Sequence, residues 1–153
     1  MGYGRARNTP PQRERYAEKE EENVMQLAFE KTGGLLPAVI QDATTKEILM
    51  LGFMNAEALE ATRASGDVTF FSRSRNKLWR KGESSGHVLR VREILLDCDA
   101  DALVVSVDAI GPGVCHEGYR TCFFRRLDVD GGVSVVGERK FDPKAVYGKG
   151  AAR

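Results

Sequence analysis

Leu35-Leu36-Pro37-Ala38-Val39-Ile40 and Ile48-Leu49-Met50-Leu51-Gly52-Phe53 are two short apolar runs parted by Asp42-Ala43-Thr44-Thr45-Lys46. Apolar runs of this length, divided by turn-forming residues, read as the two strands of a β-hairpin. A helix follows directly. Asn55 is a good N-cap, Glu57 stands in the first turn, and Met54 and Leu59 occupy the two positions of a hydrophobic staple. Gly66 after Ser65 is a C-terminal stop, so a helix is expected from Ala56 to Ala64, with Ala58, Leu59, Ala61 and Thr62 on its core face.

Working outward, Leu27 and Phe29 alternate in strand fashion ahead of a Gly33-Gly34 turn. Beyond the helix, Val68 to Ser72, Leu78 to Lys81, Val88 to Asp97, Ala102 to Val107 and Thr121 to Leu127 read as strands, and Val133 to Val136 as a short last one. Strands outnumber helices and short turns join several of them. This predicts an α+β domain, a mainly antiparallel β-sheet with one or two short helices. The domain is expected over 25–137, after a flexible charged lead at 1–24 and before a mobile tail at 138–153. Within the lead, Arg13 to Asn23 suits a solvated helix or a disordered stretch.

The 153 residues suit one domain with a real core. A net charge of +1 argues against binding polyanions by bulk charge, so phosphate recognition has to come from a local basic cluster. No apolar run approaches a membrane span, Met1-Gly2-Tyr3-Gly4-Arg5 lacks the apolar core of a signal peptide, and Ala6 stands where a myristoylation motif needs Ser or Thr. A cytoplasmic protein without membrane contact is expected. The three cysteines Cys98, Cys115 and Cys122 are an odd set for a disulfide framework and fall in one polar region, which turns attention to metal.

Asp97-Cys98-Asp99-Ala100-Asp101 puts carboxylates at every second position. On an extended chain they share one side, with Cys98 on the other. Hard oxygens suit Mg²⁺ and a soft thiolate suits Zn²⁺, so the segment is expected to serve two metals. Cys115-His116-Glu117-Gly118-Tyr119-Arg120-Thr121-Cys122 places a His beside the first of two cysteines, in a spacing unlike that of zinc fingers. Three cysteines leave a fourth zinc position to water or to His116, and His116 is the first candidate for a general base, with His87 second. The third feature, Ser72 to His87, sets Arg73, Arg75, Lys77, Arg80 and Lys81 among hydroxyls and one Trp. Arg73, Ser74, Arg75, Lys77, Trp79, Arg80, Lys81, Glu83 and Ser85 are the candidate residues for a phosphorylated small molecule, Trp79 either stacking on a base or packing.

These features, in this order, resemble the phosphoribosyl-AMP cyclohydrolase family of histidine biosynthesis. The resemblance rests on Leu36 to Asp42, Met50 to Asn55, Phe71 to Arg75, Leu78-Trp79-Arg80-Lys81-Gly82-Glu83-Ser84-Ser85-Gly86-His87, Leu96 to Leu103, and Cys115-His116 through Cys122-Phe123, covering roughly Gly34 to Arg125. It implies an intertwined homodimer with one zinc per subunit, each held by Cys98 of one protomer and Cys115 with Cys122 of the other. It implies Mg²⁺ on Asp97, Asp99 and Asp101. The reaction implied is hydrolysis of the N1–C6 bond of the adenine ring of 1-(5-phosphoribosyl)-AMP. A ribosyl group on N1 makes C6 electrophilic, and zinc brings a water to near-neutral pKa. The stretch after Leu127 is too short for the pyrophosphatase domain fused to many family members, so a single activity is expected.

Two rivals fare worse. A zinc deaminase of another base carries a Cys-x-x-Cys that is absent here. A zinc-stabilised nucleic-acid module needs four protein ligands and a basic surface, so no nucleic-acid partner is expected.

Overall fold

Leu36, Ala38, Ile40 and Asp42 of strand β1 (Leu36–Asp42) are buried, and the residues between them are half-buried, the period-two pattern of a sheet with one face on the core. β1 pairs antiparallel with β2 (Ile48–Met54), Leu36 opposite Met54 and Ile40 opposite Met50, so the expected hairpin is present. Its turn is held by Asp42, whose Oδ1 accepts from the backbone of Thr44 at 2.9 Å and of Thr45 at 2.8 Å. This computed structural model describes residues 27–148. The charged lead at 1–24 and the last residues of the expected tail lie outside the described residues.

The other edge of β1 pairs with β6 (Leu103–Ala109), which pairs in turn with β5 (Leu89–Leu96), giving the strand order β2-β1-β6-β5. The outer pairs are antiparallel, but β1 and β6 run parallel, Ala38 beside Leu103 and Asp42 beside Val107. The sheet is therefore mainly antiparallel, as expected, with one parallel pair at its centre. A parallel pair needs a long crossover, and the chain between these strands supplies one.

That crossover begins with helix α1 (Ala56–Ser65). Asn55 Oδ1 accepts from Ala58 N at 2.8 Å, and Gly66 closes the other end at φ 75°. Ala58, Leu59 and Thr62 are buried, whereas Ala61, expected with them, is half-buried. Next comes a hairpin of β3 (Thr69–Ser72) and β4 (Lys77–Arg80), with Phe70 opposite Trp79. A Cβ on Gly52 would lie 2.4 Å from the Phe70 ring, which shows how closely β3 lies over β2. Leu36, Ile40, Met54, Leu59, Val68, Phe70, Leu89 and Val105 form the core with their neighbours.

Several expectations are corrected. Phe29–Thr32 is a 3₁₀ helix rather than strand. Gly34 N and Thr32 Oγ1 both donate to Phe29 O, so the backbone is satisfied locally. Thr121 to Phe124 is not strand either. Cys122 N donates to Leu49 O at 2.8 Å and Thr121 Oγ1 to Ile48 O at 2.8 Å, which spends this stretch on the edge of β2. Only β7 (Arg125–Leu127) pairs, with β8 (Val133–Val135), and every residue of this hairpin is exposed. Part of the expected mobile tail has a defined place. Lys140 N and Phe141 N both donate to Gly118 O, and helix α2 (Pro143–Tyr147) follows, capped by Asp142 with Pro143 in its first turn. Among the described residues no helix is long and apolar enough to cross a membrane.

Candidate active site

The β3–β4 turn and the loop from Lys81 to Val88 face the loop that carries His116 across a cavity of about 220 Å³. Six residues of the predicted basic cluster line it: Arg75, Trp79, Arg80, Lys81, Glu83 and Ser85. His116 lines it too, although it lies far along the chain, and Gly82, Ser84 and Tyr147 complete the wall. Gly82 is required by the loop geometry. It sits at φ 87°, and a Cβ there would meet the His87 backbone at 2.5 Å.

The remaining predicted residues lie elsewhere. Arg73 stacks its guanidinium on the Phe53 ring, 4.1 Å from the centroid. Ser74 Oγ is 3.4 Å from Ser72 Oγ within the turn, and Lys77 is exposed at the start of β4. His87 does not line the cavity. Its ring meets Phe141 edge-on at 4.9 Å, it packs on Gly111, and its Nδ1 is buried with no partner among the described residues. Trp79 packs on Phe70, ring centroids 5.1 Å apart, and also lines the cavity.

Lys81 is buried, an unusual place for an ammonium. Burial pushes its pKa down, and the sulfurs of Cys122 and Cys115 pull the other way. Those two cysteines form a pair. Cys115 is buried in a tight loop in which its N–H donates to Tyr119 O at 3.1 Å, and a Cβ on Gly113 would lie 2.5 Å from that same oxygen. The hydrogen bond from Cys122 holds the Cys115 thiol down at about 6 against the effect of burial, with help from the Glu117 N–H and from His116. Cys122 moves up, because its proton is held by the Cys115 sulfur. One thiolate is therefore ready near neutral pH, and a soft cation would release the second proton. The donor set fits zinc.

Arg120, between the two cysteines, donates to Asp42 at 2.7 Å and to Glu47 at 2.9 Å. These bonds tie the cysteine loop to the β1–β2 turn.

Cys98 is exposed in the turn before β6, while Cys115 lies past the far end of that strand, whose length is roughly 20 Å at the usual rise per residue. Among the described residues, the one group of three His, Cys, Asp or Glu ligands with donor atoms within 4.8 Å of one another is Asp97, Asp99 and Asp101. The chain by itself does not bring Cys98 to the pair.

The three carboxylates do meet, but not by strand alternation. Residues 97–101 form a turn rather than extended chain, with Ala100 at φ 60° and Asp97 Oδ1 accepting from Asp101 N at 3.0 Å and Ala102 N at 3.2 Å. Cys98 accordingly does not point away from the acids; its Sγ is 4.0 Å from Asp99 Oδ1. Loss of water pushes the Asp97 pKa up, and the N–H groups of Ala102 and Asp101 outweigh it, leaving this carboxyl below its ordinary value. Asp101 is raised, by lost water and by the charge of Asp99. Lys31 offsets part of this repulsion at 3.1 Å from Asp99. A hard dication fits such an oxygen set.

Sequence reading missed Arg120 and Tyr147. The Asp142-Pro143 pair, an N-cap followed by a first-turn proline, was the available signal for the helix that carries Tyr147.

The family model for phosphoribosyl-AMP cyclohydrolase matches residues 50–124. Among curated relatives, a phosphoribosyl-AMP cyclohydrolase of Solibacter usitatus is 58% identical over 124 residues, 81% of this chain and 98% of the relative. Those of Pelotomaculum thermopropionicum and Methanospirillum hungatei are 57% and 54% identical over 116 residues, 76% of this chain in each case, and 89% and 85% of the relatives.

Proposed function

This chain belongs to the phosphoribosyl-AMP cyclohydrolase family, enzymes of histidine biosynthesis, and from that premise we propose that it adds water to C6 of the adenine ring of 1-(5-phosphoribosyl)-AMP and breaks the N1–C6 bond. The observation that carries this reading is the convergence of His116 with Arg75, Trp79, Arg80 and Lys81 on one cavity. Arg75 and Arg80 take the phosphates with their guanidinium forks. Trp79 offers a flat face to the purine. His116 takes a proton from the attacking water and delivers it to N1 as that nitrogen leaves C6. His87, packed against Phe141, holds the Lys81–Val88 loop in place rather than moving a proton.

Zinc would be held by Cys115 and Cys122 of one protomer and Cys98 of a second, and magnesium by Asp97, Asp99 and Asp101. When bound, zinc supplies a water acidified to near neutrality and magnesium supplies charge that offsets the phosphates. Two observations support the homodimer. Cys98 lies away from the cysteine pair of its own chain. The β7–β8 hairpin exposes Leu127, Val133 and Val135, an apolar surface that a second copy would cover. Working thiols that stay free suit a reducing compartment, so we place the enzyme in the cytoplasm.

The test is direct. The purified protein, loaded with zinc and supplied with Mg²⁺ and phosphoribosyl-AMP, should give the absorbance change of ring opening. Absence of turnover by fully metallated protein would end this reading.

A further inference from the structure

The cavity wall is not complete without the C-terminal segment. The family match ends at Phe124, yet the chain returns and Tyr147 lines the same space as Arg75, Trp79, Lys81 and His116. The return is anchored along its length. A Cβ on Gly137 would lie 2.8 Å from Phe124 Cβ, so the segment starts in close contact with that residue. Arg139 bridges to Tyr119 and stands over its ring at 5.4 Å. Lys140 and Phe141 N–H groups share the Gly118 carbonyl, and the Phe141 ring docks on His87. The strap is thus fixed to the cysteine loop and to the basic loop, and α2 then delivers Tyr147 half-buried to the cavity. Arg75, Arg80 and Lys81 give this space a cationic lining suited to an anion, and a phenol adds a directional neutral donor that suits a phosphate oxygen.

We propose that Tyr147 is a nucleotide-binding residue, its hydroxyl donating a hydrogen bond to a phosphate oxygen of the nucleoside monophosphate in this cavity. The inference rests on the reading of the cavity as a nucleotide site. Trp79, the protein's single tryptophan, lines the same cavity, so its fluorescence reports occupancy without turnover and without metal. AMP and adenosine are titrated into the full-length wild type and Tyr147→Phe. The wild type should give a saturable AMP response. Y147F should need roughly tenfold more AMP or beyond, the scale of one hydrogen bond to a charged acceptor, and should bind adenosine as the wild type does. Unchanged AMP affinity in Y147F, an equal loss for adenosine, or no saturable AMP response in the wild type would overturn the proposal. Turnover of phosphoribosyl-AMP by the wild type, measured alongside, separates the two readings. Turnover with an unchanged Y147F affinity removes the Tyr147 contact alone. Tyr147-dependent AMP binding without turnover removes the reaction and keeps the contact.

Discussion

The Arg120 guanidinium donates to the Asp42 carboxylate at 2.7 Å, joining the loop between Cys115 and Cys122 to the turn between β1 and β2. Arg120 is about a third exposed and Asp42 is nearly covered. After allowance for solvent screening the pair should contribute about 1 kcal/mol. Arg120→Ala is expected to lower the melting temperature by a few degrees and to weaken zinc binding, because the cysteines lose their common support. A double-mutant cycle with Asp42→Ala checks the link. Strictly additive effects would show that the two residues act independently.

Asp42 also sets a pH dependence. The backbone N–H of Thr45, with those of Thr44 and the Arg120 side chain, holds its folded-state carboxyl below the usual value against the effect of burial. A depressed carboxylate contributes stability that is present above its unfolded pKa of about 4 and is lost as pH falls through the lower folded value. Thermal melts from pH 7 to 2 should therefore show the loss beginning below about pH 4. Asp42→Asn should be less stable at neutral pH and fall less steeply in acid. An acid limb of unchanged slope would remove Asp42 as its source.

Gly52→Ala tests the contact between β2 and β3. The new methyl would meet Phe70 ring carbons at 2.4 Å, and Phe70 is buried with little room to retreat. Destabilisation of about 1–3 kcal/mol is expected from overpacking, read as a lower denaturant midpoint. A midpoint equal to that of the wild type would show that the β3–β4 hairpin shifts freely.

The proposed sharing of zinc between two protomers has its own test. Cys98→Ala and Cys115→Ala should each lose zinc and activity. A heterodimer of the two variants rebuilds one intact site, so an equal mixture with exchanged subunits should recover roughly a quarter of wild-type activity if the dimer is symmetric. Continued inactivity despite demonstrated exchange would show that each site belongs to a single chain.

What could be read in the sequence was what local chemistry determines. Asn55, Glu57 and Gly66 mark α1 at both ends, and the structure starts it at Ala56 and ends it one residue later than expected. The two apolar runs around Asp42 to Lys46 form their hairpin for the same reason. Errors arose where the chain meets something distant or spends its hydrogen bonds locally. Thr121 to Phe124 has the composition of a strand, but its bonds go to the edge of β2. Asp97 to Asp101 has the alternation of a strand, but the Asp97 side chain folds it into a turn. The basic cluster announced the cavity, yet only geometry separates Arg75, which lines it, from Arg73, which stacks on Phe53. Tyr147 reaches the cavity through contacts with Gly118, Tyr119 and His87 that no local pattern encodes.

The parallel pairing of β1 with β6 has a consequence for synthesis. β1 and β2 are made first, and until Leu103–Ala109 leaves the ribosome the inner edge of β1 has no partner. The strand that ends at the centre of the sheet thus begins as an edge, and its hydrogen-bonding groups wait for the helix, a hairpin and β5 to be made. The cysteine loop follows β6 and is pinned to a turn formed long before it. The cysteine pair therefore cannot be complete until every strand of the central sheet has been synthesised.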